Sequence, residues 1–154
     1  MKNVLRGALA LAALFLLSPA ARAEQPGAHP AYLHALTDLR TARWQLEKRK
    51  GDPQVKWDEA AAIREIDACI AEIKQAAIDD GKNLADHPHE DAGNLDRNAR
   101  LHDALRLLRK ARHDISERED NSYAQGLRAR ALGHLDRAIQ FTEQGLSNAE
   151  NPPH

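Results

Sequence analysis

Four long stretches without proline dominate this sequence, and each carries apolar residues at alternating steps of three and four. They run approximately over residues 31–50, 54–80, 95–118 and 121–148. In the second stretch the series is Ile63, Ile66, Ile70, Ile73 and Ala77. This spacing is the period of an α-helix with one apolar stripe. The pattern therefore predicts an all-α protein of four amphipathic helices.

The residues between these stretches are typical of helix ends. Gly51 and Gly81 follow the first and second stretches, and glycine readily takes the left-handed conformation that closes a helix. The second helix is expected to start at Asp52-Pro53. For the third helix the expected N-cap is Asn94 or Asp96, and for the fourth it is Asp120 or Asn121.

Composition excludes several other classes of protein. Aromatic residues make up only 4% of the chain, which argues against a β-sandwich or barrel. The single cysteine, Cys69, excludes a disulfide framework, a zinc ribbon and an iron–sulfur cluster held by cysteines. Because Cys69 lies within the apolar stripe of the second helix, we expect it to be buried and unreactive, and a disulfide between two chains is the alternative if its thiol is exposed.

An internal repeat relates the two halves of the chain. A shift of 69 residues places Leu36, Leu39 and Arg40 on Leu105, Leu108 and Arg109, and it also matches residues of the second and fourth helices. Further matched pairs are Ala42 with Ala111, Arg43 with Arg112, Asp67 with Asp136, Ile70 with Ile139 and Gln75 with Gln144. The repeat predicts two similar helical hairpins packed into an antiparallel up-down four-helix bundle. A coiled-coil dimer of long hairpins is the competing arrangement, so a homodimer stays open.

The N-terminus has the pattern of a secretory signal peptide. Lys2 and Arg6 are followed by the apolar run Ala8–Leu17 and by Ala21-Arg22-Ala23, so residues 1–23 are the expected signal. Residues 24–154 then form a single domain with a net charge of −4, because cleavage removes three of the 22 basic residues and none of the 23 acidic ones. This predicts a periplasmic or secreted protein that binds no nucleic acid and has no membrane span after cleavage.

Three segments of the mature chain resemble a known group of proteins. They are His29-Pro30-Ala31-Tyr32-Leu33-His34-Ala35-Leu36 with Asp38-Leu39-Arg40, Ile78-Asp79-Asp80-Gly81-Lys82-Asn83, and Asp86-His87-Pro88. They are similar to segments in a family of small exported bacterial helical-bundle proteins of unassigned function. The resemblance implies export and a helical bundle, and it transfers no functional residue.

Histidines and aspartates are concentrated where one end of an up-down-up-down bundle would lie. Neutral imidazoles and carboxylates are ligands that Zn, Cu or Ni accept, so this end is a candidate site for a divalent metal. The candidate ligands are His34, Asp38, Asp79, Asp80, His87, His89 and His102. Asp79 and Asp80 close the second helix, where the helix dipole disfavours negative charge. A cation, Lys82 or an arginine would offset these two carboxylates.

Other functions have weaker support. Haem ligation through His34 or His102 with His134 stays open, with Gly126 and Gly133 as points of close approach. No catalytic motif of a hydrolase or a phosphate-binding loop occurs in the sequence, so we do not expect an enzyme. Trp44 and Trp57 are expected to close the bundle at the first turn, or else to form a patch for a partner. The leading hypothesis is a noncatalytic exported binding or structural protein, and the alternative is a protein-binding module of chaperone or adaptor type.

Overall fold

The computed structural model describes residues 30–47, 57, 59–79, 81, 83–84 and 95–151. These residues form four α-helices and, in the ranges just given, no strand. The helices are α1 Tyr32–Leu46, α2 Glu59–Asp79, α3 Arg97–Ser116 and α4 Ser122–Glu150. The prediction of an all-α four-helix bundle is confirmed.

Local sequence signals determine three of the helix ends. The side chains of Asp96 and Asn121 each accept hydrogen bonds from backbone N–H groups in the first turn of α3 and α4. Gly81 has φ +73° and donates its N–H to the carbonyl of Ile78, which closes α2. The first helix is shorter than the predicted stretch 31–50, since α1 spans Tyr32–Leu46. The predicted turn at Gly51 to Pro53 lies outside the described residues.

Each helix contacts two others, so the four lie at the corners of a square. α1 contacts α2 and α3, and α4 contacts the same two helices. Among these described helices, α1 and α4 make no contact with each other, nor do α2 and α3. Helices that follow each other in the chain are therefore neighbours only within the pairs α1–α2 and α3–α4.

Hydrogen bonds between α1 and α3 show that the two helices are antiparallel. The hydroxyl of Tyr32, the first residue of α1, donates to Glu119 Oε2, just beyond α3 (2.6 Å). Gln45, near the end of α1, donates to Asp103 Oδ2 in the first half of α3 (3.1 Å). We call the end of the bundle at the start of α1 the Tyr32 end, and the opposite end the Leu46 end.

The second half of the bundle corrects one expectation. Asn121 Nδ2 donates to Asp79 Oδ2 (2.5 Å), so α2 ends and α4 begins at the Tyr32 end. Arg100 Nη1 donates to the carbonyl of Gln45 (2.7 Å), so α3 begins at the Leu46 end. The up-down-up-down order expected from the sequence placed the start of the third helix at the Tyr32 end. That expectation was wrong because an apolar stripe specifies which face is buried and leaves the choice of neighbour open.

The core is made almost entirely of aliphatic side chains and alanines. Cys69 is fully buried in α2 among isoleucines, as predicted, and burial raises the pKa of its thiol to about 12. Ala138, which the 69-residue shift matches to it, is buried as well. The largest fully buried apolar side chains are Tyr32, Leu36, Leu39, Ile66, Ile73, Leu107, Leu108, Ile115 and Leu135.

The two tryptophans lie at the Leu46 end but behave differently. Trp57 packs on α4 so closely that a Cβ added at Gly145 would lie 2.7 Å from two of its ring atoms. Trp44 in α1 is 42% exposed. Gly126 and Gly133, the expected points of close approach, would meet only an arginine Nη1 of their own helix, at 3.8 Å. Gly145 is therefore the glycine of α4 that allows a close contact.

Two ion pairs occupy positions related by the 69-residue shift. Arg43 Nε lies 2.7 Å from Asp67 Oδ1 between α1 and α2. Arg112 Nε lies 2.6 Å from Asp136 Oδ1 between α3 and α4. The same atoms therefore join the helices in both hairpins, as expected if the hairpins are similar.

Candidate functional site

The Tyr32 end is held together by two buried or partly buried polar contacts. Glu119 is only 4% exposed, and its carboxylate accepts from the Tyr32 hydroxyl and from the backbone N–H of Asn121 (2.8 Å). Asn121 in turn donates its side-chain amide to Asp79. Through these bonds the first turn of α1, the last turn of α2 and the α3–α4 connection are joined, and this gives the end a defined shape.

Two large apolar side chains are exposed at the Tyr32 end. Ile78, in the last turn of α2, is 53% exposed, and Tyr123, in the first turn of α4, is 56% exposed. Each lies next to the Asp79–Asn121 hydrogen bond, because Ile78 precedes Asp79 and the N–H of Tyr123 donates to Asn121 Oδ1 (2.9 Å). We call Ile78 and Tyr123 the exposed apolar pair. Tyrosine is one of the side chains that are enriched at protein–protein interfaces.

The sequence reasoning missed this pair, although it had a signal for one member. Ile78 directly follows Ala77, which ends the apolar series of the second helix, so Ile78 lies outside the buried stripe. An isoleucine at such a position is expected to face solvent. Tyr123 had no comparable signal, since a tyrosine in the first turn of a helix is buried or exposed according to its tertiary neighbours.

Asp38, which the four-residue spacing grouped with His34 as a candidate metal ligand, contacts a lysine of α3. His34 is exposed at the Tyr32 end. Asp38 is only 1% exposed, and its Oδ2 lies 2.5 Å from Lys110 Nζ of α3. A second carboxylate, that of Asp114, lies 3.6 Å from the same ammonium group. Asp38 therefore acts as the internal half of an ion pair between α1 and α3.

His102 lies at the Leu46 end rather than beside His34. Its Nε2 is 3.0 Å from Glu150 Oε1, at the last residue of α4. Tyr32 contacts Glu119, so the start of α1 lies beside the end of α3. With a rise of 1.5 Å per residue, His34 and His102 are separated by about 20 Å along the bundle. One metal ion cannot bind both imidazoles, and the expectation that they share one end was wrong.

The other predicted metal ligands are only partly described. Asp79 is exposed at the Tyr32 end, and its carboxylate accepts a hydrogen bond from the side-chain amide of Asn121. Asp80, His87 and His89 lie outside the described residues, as does the side chain of Lys82. Within the described ranges, no three His, Cys, Asp or Glu side chains are grouped closely enough to hold a metal ion.

His134 takes part in a polar cluster between α2 and α4. Its Nδ1 lies 2.7 Å from Glu65 Oε2, and Arg137 Nη2 lies 2.9 Å from the same carboxylate oxygen. Hydrogen bonds from Arg137 first, and then from His134, lower the pKa of Glu65 below its ordinary value, although burial opposes this. Arg137 Nη2 is also 2.8 Å from His134 Nδ1. Both contacts of His134 in this cluster are therefore made at Nδ1.

Comparisons with known proteins add no relative. No family model matches the chain, and no curated protein and no solved structure shows significant similarity to it. The resemblance to small exported helical-bundle proteins therefore stays a prediction. In the part of the chain that the structure covers, none of the helices has an apolar stretch of the length that a bilayer requires.

Proposed function

We propose that this chain is an exported, noncatalytic protein of the cell envelope that binds a partner protein at the Tyr32 end. The observation that carries the proposal is the exposed apolar pair, which lies beside a hydrogen-bonded junction of three elements. Export rests on the signal pattern of residues 1–23. A preformed apolar surface binds a partner without the cost of ordering a loop.

The placement of the titratable groups favours binding over catalysis. Asp38, Glu119 and His134 are each engaged by a neighbouring side chain that belongs to another element. These contacts join helices, and a carboxylate or imidazole used in this way stabilises the fold. A general acid or base needs a nearby place for substrate and a proton-accepting position directed at it.

Site-specific photo-crosslinking in intact cells tests the proposal. A photoreactive phenylalanine analogue replaces Tyr123 or, as a control, Gln140, which is exposed on the same helix. We expect a discrete adduct from position 123 that is lost when Ile78→Ser is added, and no adduct from position 140. The mass of the adduct distinguishes a second copy of this chain from another protein. Equal labelling from both positions, or labelling that is insensitive to Ile78→Ser, would contradict the proposal.

A second candidate function is metal binding at the same end. The observation in its favour is that His34 and Asp79 are both exposed at the Tyr32 end, where Asp80, His87 and His89 of the sequence would be the further ligands. Metal that binds only the folded state raises the unfolding temperature by mass action. We expect Zn, Cu or Ni to raise it in the unaltered protein and in His102→Ala, but not in His34→Ala. An unchanged temperature in the unaltered protein would exclude this function.

A further inference from the structure

The contact between α1 and α2 differs in charge from its counterpart between α3 and α4. In the second hairpin, Arg109 Nη2 lies 2.8 Å from Glu143 Oε1, so the two helices are joined by an ion pair. The positions 69 residues earlier are Arg40 and Lys74. The first hairpin therefore has two positive charges where the second has one of each sign.

The two hairpins are alike enough for this comparison to be meaningful. Arg43 and Asp67 form the same Nε–Oδ1 contact as Arg112 and Asp136. Arg112 follows Arg109 by three residues, and Asp136 precedes Glu143 by seven. Arg40 has the same spacing from Arg43, and Lys74 has the same spacing from Asp67. By analogy with Arg109 and Glu143, Arg40 and Lys74 are expected on the two edges of the α1–α2 contact.

Nothing in the described part of the chain neutralises these two cations. Neither Arg40 nor Lys74 has an ion pair there, and the buried Nη1 of Arg40 has no hydrogen-bond acceptor among the described residues. The carboxylates of Asp67 and Glu47 are both bound by Arg43. A guanidinium nitrogen that is buried without an acceptor is unfavourable, and a second positive charge at the position that corresponds to Glu143 would add repulsion.

We propose that Arg40 and Lys74 form a binding site for an oxyanion, either a phosphate or a carboxylate group. A guanidinium presents a planar pair of donors that matches an oxyanion, and a lysine ammonium adds a point charge at short range. The anion takes the place that the Glu143 carboxylate has in the second hairpin. This site is independent of the exposed apolar pair, so it stands whether or not a protein binds at the Tyr32 end.

Unfolding temperature measured against anion concentration tests the site. Inorganic phosphate and acetate are titrated separately at constant ionic strength, so that the two arms distinguish the kinds of oxyanion. We expect a saturable rise with at least one of them, and about a tenfold larger Kd in Arg40→Gln. Arg118→Gln is the control, because Arg118 is an exposed arginine outside the helices and its loss changes the net charge equally. A flat response in the unaltered protein, or an equal response in all variants, overturns the proposal.

Lys74→Glu gives a second readout that does not depend on added anion. This substitution recreates the arginine–glutamate pair of the second hairpin, so we expect a higher unfolding temperature in anion-free buffer and no rise with phosphate or acetate. Circular dichroism confirms that the variant is folded. A lower unfolding temperature for the folded variant would show that Arg40 does not face position 74, and the proposed site would then be wrong.

Discussion

Alanine substitution of the α4 glycines tests the packing of Trp57 directly. At Gly145 an added Cβ would lie 2.7 Å from Trp57 Cδ2 and Cε3, a distance at which the ring or the helix must move. Among the residues that the structure describes, the neighbour of a Cβ added at Gly133 is Arg137 Nη1, at 3.8 Å, which is ordinary van der Waals contact. The two positions therefore differ in steric surroundings while sharing one helix.

The expected magnitudes follow from two effects of opposite sign. Replacing glycine by alanine inside a helix stabilises it by about 1 kcal/mol, because the unfolded chain loses conformational freedom. Gly133→Ala gains this amount in full. At Gly145 the forced movement of Trp57 costs about 1–3 kcal/mol. We expect Gly145→Ala to unfold at lower urea concentration than Gly133→Ala, with a difference in unfolding free energy of about 1–3 kcal/mol.

A double-mutant cycle with Trp57→Ala identifies the cause. In that background the obstacle is gone, so Gly145→Ala is expected to stabilise by about 1 kcal/mol, as Gly133→Ala does. Unfolding followed by circular dichroism in urea measures all four proteins. If Gly145→Ala stabilises the protein as much as Gly133→Ala while Trp57 is present, the indole does not lie on α4 and the reasoning is refuted.

Three further predictions concern the core and the charged contacts. Leu108→Ala is expected to lower the unfolding free energy by about 2–5 kcal/mol in urea, because Leu108 is fully buried. The Cys69 thiol is expected to react with a thiol reagent only after unfolding. Because folding raises the pKa of this thiol, its contribution to stability is fully present below pH 9.0 and is lost as pH rises towards about 12. The pKa of Glu65 is lowered by Arg137 and His134, so its contribution is present above pH 4.5 and is lost as pH falls below that value. Acid titration of Glu65→Gln is expected to show a shallower loss of stability.

Each of these predictions has a matched control. Leu95 is partly exposed, so Leu95→Ala should change stability far less than Leu108→Ala, and similar losses would mean that Leu108 is not in the core. Cys69→Ala should remove the stability loss between pH 9.0 and about 12, and an unchanged slope would contradict burial of the thiol. Asp136→Asn serves as the control for Glu65→Gln. It also removes one carboxylate, but that carboxylate contacts Arg112, between α3 and α4.

The candidate site shows where sequence reasoning succeeded and where it failed. The caps Asp96 and Asn121, each one of two expected candidates, and the buried position of Cys69 depend on contacts within a turn or on one apolar stripe, and the structure confirms them. The common end proposed for His34 and His102 depended on the order of helices around the bundle, which has no local signal. The exposed apolar pair was also missed, because its two members lie on helices that are far apart in the chain.

Helix content, the N-terminal caps of α3 and α4 and the spacing of the buried stripes follow from short-range chemistry, so the order of residues along the chain was enough to establish them. Which helices become neighbours is different. Similar aliphatic stripes can pack in several orders with nearly the same buried area, and long-range contacts such as Tyr32 with Glu119 and Asp38 with Lys110 select one of them. That selection separated His34 from His102 by the length of the bundle and placed Ile78 and Tyr123 at one end.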